Sequence, residues 1–62
     1  MKPFWMVYVQ GGDSPQRKHD RVEDARNEAY RLAKKEEKAA YVLECIGGLV
    51  PMFAWEGARS DA

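Results

Sequence analysis

The stretch Asp20–Glu37, DRVEDARNEAYRLAKKEE, decides how the rest of this chain folds. On a wheel of 100° per residue, Val22, Ala25, Ala29, Leu32 and Ala33 fall on one stripe, and charged residues occupy the remainder. The spacing predicts an amphipathic helix over about residues 21–37. Because Ala25, Ala29 and Ala33 make most of the stripe, the helix can lie close on a sheet. Asp20 has the chemistry of an N-cap, and Glu23 three residues on completes a capping-box pattern. Glu23 and Asp24 in the first turn, with Arg31, Lys34 and Lys35 in later ones, match the helix dipole.

The flanking segments have strand composition. Pro3–Gln10, PFWMVYVQ, is aromatic and β-branched, and both of its alternating faces are apolar. Gly11-Gly12-Asp13-Ser14 is a turn cluster. Residues 15–19, PQRKH, read either as a loop into the helix or as a short polar edge strand pairing back on the first; proline and adjacent positive charges, which protect an edge, favour the strand. Tyr41–Ile46 is a second strong strand, Gly47-Gly48 a tight turn, and Leu49–Trp55 the returning strand. The expected fold class is α+β, of order β-(β)-α-β-β: one sheet of three to four strands with the helix on one face. Residues 1–55 form the single domain and 56–62 a flexible tail.

With 62 residues, the chain has room for one small core. Its single Cys45 rules out an internal disulfide, and one cysteine with one histidine does not make a structural zinc site. No cofactor is expected. Self-association is the remaining way to reinforce so small a domain. Ten basic and ten acidic residues cancel, so no global positive field favours nucleic acid or anionic membrane. No segment reaches the ~20 apolar residues that span a bilayer, and the apolar run Phe4–Val9 is too short for a signal-peptide core. These features point to a cytoplasmic protein with a reduced cysteine.

Ser14, His19 and Asp20 are the residue types of a hydrolytic triad, but their positions suit a turn and a cap, so no catalytic residue is assigned. Cys45, inside a strand, reads as a buried inert thiol facing the helix. If Glu44 marks the sheet face away from the helix, the uncovered face carries Val42, Ile46, Leu49, Phe53 and Trp55, together with Trp5. An apolar patch of that kind marks an interface, either with a second copy or with another protein. The alternative is nucleic-acid contact through Arg17, Lys18 and Arg21 and through Arg31, Lys34, Lys35 and Lys38 on the outer helix face.

The run Asp24-Ala25-Arg26-Asn27-Glu28-Ala29-Tyr30-Arg31-Leu32-Ala33, with Ser14-Pro15 and His19 before it and Tyr41-Val42-Leu43-Glu44 after it, is similar to small phage- and prophage-encoded proteins of unknown function. The resemblance covers roughly residues 4–46. It implies no catalytic or cofactor residues. It does imply a context, in which a short protein works by binding a host or phage macromolecule.

Overall fold

The aromatic run at the N-terminus forms strand β1, Trp5–Val9, and it pairs antiparallel with β2, Ala40–Glu44. In this computed structural model, which describes residues 1–52 and 54–58, the register sets Trp5 opposite Glu44, Val7 opposite Val42 and Tyr8 opposite Tyr41. Between them runs helix α1, Val22–Glu36, which packs on both strands. A second two-stranded ribbon follows, of β3, Gly47–Leu49, and β4, Trp55–Gly57. The architecture is therefore α+β, with one helix inside the span read from periodicity.

The expected stripe is the packed one. Ala25 and Ala29 are buried, and Val22, Leu32 and Ala33 flank them half-buried. The start of the helix differs from the expectation. Its N-cap is Arg21, extended at φ −131°, ψ 139°, with no side-chain capping bond; the Ala25 N–H donates to the Arg21 carbonyl. Asp20 lies one residue outside because His19 is tied to Trp5 by a two-way backbone exchange, which keeps the preceding chain extended. At the other end Glu37 adopts the left-handed conformation, φ 54°, which stops the helix without a glycine.

The strands are divided differently from a single sheet of three to four. Residues 15–19 contribute one isolated bridge, His19 to Trp5, rather than an edge strand, because Pro15 and the polar residues after it supply little to bury. Gly47-Gly48 is not a turn. Both glycines lie in β3, whose partner is β4, and the ladder extends from Ala58 N–H donating to the Ile46 carbonyl up to Val50 N–H donating to Ala54. The turn falls around Pro51 and Met52, because proline without an N–H is better placed there than inside a ladder. β4 runs through Gly57, into the stretch expected to begin the tail, and residues 59–62 lie outside the described ones.

Among the described residues, the backbone of the ribbon comes close to neither α1 nor β1 nor β2. The principal extents are 40 × 21 × 17 Å. Its radius of gyration is 13.1 Å, against about 10.6 Å for a compact chain of this length.

Candidate functional site

Which side of the β1–β2 sheet is covered follows from alternation and burial. Ala40 and Val42 are half-buried, whereas Tyr41 and Leu43 are 48% and 46% exposed. With α1 the element packed on both strands, the covered side carries Val7, Val9, Ala40 and Val42, and by register Trp5. The open side carries Met6, Tyr8, Tyr41 and Leu43, with the Tyr8 and Tyr41 rings stacked at 6.5 Å. This reverses the face expected from Glu44. Glu44 sits exposed at the very end of β2, where a charged side chain is tolerated on either face and carries no phase information.

The six residues expected at an interface therefore separate. Val42 and Trp5 turn toward the helix, and Phe53 lies outside the described residues. Ile46 is exposed at the base of the ribbon. Leu49 and Trp55 stand directly opposite each other across β3 and β4, on one face. They are 70% and 54% exposed, and Met52 at the turn is 87% exposed. Tyr41, Leu43 and Met52 were missed because a one-residue change of phase exchanges the two faces, and because Met52 was read as strand. The Cys45 side chain is half-buried, its thiol donating to the Gly47 carbonyl at 3.5 Å.

A concavity of about 550 Å3 opens beside the helix start. Arg17, Lys18, His19, Asp20 and Arg21 form one wall, and Asp24, Asn27, Glu28 and Arg31 form the other. Four of the seven basic residues read as nucleic-acid contacts thus come together: Arg17, Lys18, Arg21 and Arg31. Lys34 instead lies over the Tyr30 ring at 5.1 Å, and Lys35 and Lys38 line other surface. His19 is 7% exposed at this site, fixed by its backbone pairing to Trp5. Several charges here are already engaged. Arg31 grips Glu28 through two parallel bonds of 2.8 Å, Lys18 lies 4.7 Å over the Phe4 ring, and Arg21 approaches Glu23 at 3.9 Å. Among the described residues, no group of three or more His, Cys, Asp and Glu side chains gathers as a metal site would require.

The Arg31 fork lowers the Glu28 pKa below its ordinary value; partial burial opposes this, and the charges of Arg31, Arg17 and His19 reinforce it. A carboxyl lowered on folding contributes stability above its unfolded pKa, and that contribution is lost as pH falls through the folded value. The urea midpoint is therefore expected to fall more steeply below about pH 4.5 in the native protein than in a Glu28→Gln variant. Equal slopes in the two proteins would show that the fork is not stabilising.

No helix among the described residues is long and apolar enough to cross a membrane. In comparisons with known proteins, no family model, no curated protein and no solved structure matches the chain.

Proposed function

We propose that the protein is a small, non-enzymatic protein-binding module that acts by presenting apolar side chains to a second copy of itself or to another protein of a phage-infected host. One observation carries the reading: Leu49, Met52 and Trp55 stand exposed on a ribbon that, among the described residues, has no contact with α1, β1 or β2 at the level of the backbone. Isolated two-stranded ribbons are marginal in water, and exposed aromatic anchors are enriched where partners dock.

The test is a Trp55→Arg replacement, with Leu49→Arg as its companion. Both positions are exposed, so the far-ultraviolet helix signal should persist while association measured by light scattering or by capture of a partner falls at least tenfold. Association that survives both replacements would remove the ribbon from the binding surface.

Nucleic-acid binding is the second reading, favoured by the gathering of Arg17, Lys18, Arg21 and Arg31 at one concavity. Against it, Asp20, Asp24 and Glu28 line the same walls, so a phosphate backbone meets nearly as many negative charges as positive ones. Retention of single-stranded RNA that falls steeply with salt would support it, and no retention at low salt would end it.

A further inference from the structure

The concavity beside the start of α1 holds a side chain that the ribbon does not need. His19 is 7% exposed, and its backbone is fixed by the two-way exchange with Trp5. Its ring shares no hydrogen bond with any described residue, and the charge of Glu28 reaches it only through space. Among the described residues, no buried side-chain nitrogen or oxygen lacks a partner, so the ring nitrogens keep contact with solvent, and the hollow that His19 lines is the concavity. A nearly buried imidazole held in this way offers a ligand a fixed hydrogen-bonding group.

Four of the seven acidic and basic side chains that line the concavity are engaged: Arg31 with Glu28, Lys18 over Phe4 and Arg21 near Glu23. The other three are one cation, Arg17, and two carboxylates, Asp20 and Asp24. Neither they nor the Asn27 amide take a hydrogen bond or an ion pair from a described residue. They are also divided between the walls, with Arg17 on the segment before the helix and Asp24 and Asn27 on α1. A lone anion drawn to Arg17 meets the two carboxylates, and a lone cation drawn to the carboxylates meets Arg17. A molecule that carries both charges satisfies both walls.

We infer that this concavity binds a small zwitterion, with its carboxylate on Arg17 and the His19 ring and its ammonium on Asp24. That is the chemistry of a free amino acid or of a dipeptide. An ammonium has three donors, so Asp20 and the Asn27 carbonyl oxygen share it with Asp24. The volume of about 550 Å3 falls within the ~300–1,000 Å3 of small-molecule sites. The mixture of signs that counts against a phosphate backbone is the feature that selects a ligand of mixed sign.

The experiment is a titration of the full chain in phosphate-free buffer at low salt, followed by proton resonance. His19 is the only histidine of the chain, so its ring C–H signals report on the concavity alone. Alanylalanine and L-alanine should shift those signals saturably, and the tighter of the two tells whether a peptide or a free amino acid is the better occupant. N-acetylalanine, which keeps only the carboxylate, and alaninamide, which keeps only the ammonium, should bind at least tenfold more weakly. Arg17 and Asp24 are exposed, so their replacements should leave the fold in place. Arg17→Gln should weaken alanylalanine about tenfold and leave alaninamide unchanged, whereas Asp24→Asn should weaken it as much and leave N-acetylalanine unchanged. The inference is overturned if neither zwitterion gives a saturable shift, or if both variants bind alanylalanine as the native chain does. It is equally overturned if N-acetylalanine, alaninamide or inorganic phosphate binds as tightly as alanylalanine. Trp55→Arg should not alter the titration, so failure here and failure of the ribbon as a binding surface are separate results.

Discussion

Replacing Ala25 with aspartate is expected to abolish the fold at room temperature, with loss of the far-ultraviolet helix signal above about pH 5. Ala25 is 0% exposed and with Ala29 makes up the buried apolar core among the described residues, where no large side chain is fully buried. A core of that size leaves a domain of this length with about 3–5 kcal/mol of stability at most. An uncompensated carboxylate on the face of α1 that lies against β1 and β2 costs several kcal/mol even after relaxation, which exceeds the whole. The neighbouring exposed position provides the control. Arg26→Asp puts the same charge in water and should leave the helix signal in place. Ala29→Gly, which removes only a methyl and some helix propensity, should lower stability by about 1 kcal/mol and leave most molecules folded. If Ala25→Asp remains folded with a native midpoint, α1 is not packed on the sheet by the stripe described.

The helix stripe was legible because its period is set by Val22, Ala25, Ala29, Leu32 and Ala33 against a charged background, and no other phase of the wheel is apolar. β1 and the start of β2 were legible from composition. Their phase was not, since Met6, Tyr8, Tyr41 and Leu43 on one side are as apolar as Trp5, Val7, Val9 and Val42 on the other. Alternation shows a buried face only when the other face is polar, and here only burial under α1 separates the two. Gly47-Gly48 misled for a related reason: a glycine pair is the strongest short turn signal, and in β3 it carries no side chain that would announce a strand. The concavity was half legible. Arg17, Lys18 and Arg21 are neighbours in sequence, but Arg31 joins them only because helical turns bring Asp24, Asn27, Glu28 and Arg31 to one wall.

Gly47→Ala is expected to dissolve the β3–β4 ribbon while leaving α1, β1 and β2 intact. Gly47 has φ +155°, a backbone conformation side chains rarely adopt. A Cβ built there would lie 2.5 Å from the Glu56 carbonyl oxygen and 2.7 Å from Trp55 Cε2, so the indole lies across the glycine in place of a side chain. Backbone strain at such a position costs about 1–3 kcal/mol before the collision is counted. The ribbon has little to set against it, because three residue pairs without a helix or a third strand against them among the described residues are marginal on their own. Amide exchange gives the clearest readout. The Val50 and Ala58 N–H groups, which donate to Ala54 and Ile46, should lose protection, while those of Trp5 and Cys45, which donate to His19 and Phe4, keep it. Gly48→Ala supplies the contrast. Its Cβ would meet only the Met1 methyl at 3.2 Å, the free end of a flexible side chain, so protection should persist. Because the ribbon presents Leu49 and Trp55 as one face, Gly47→Ala should also weaken partner capture as strongly as Trp55→Arg, without altering an exposed side chain. Capture that tolerates Gly47→Ala but not Trp55→Arg would mean that the partner reads the indole alone and not the paired strands that hold it.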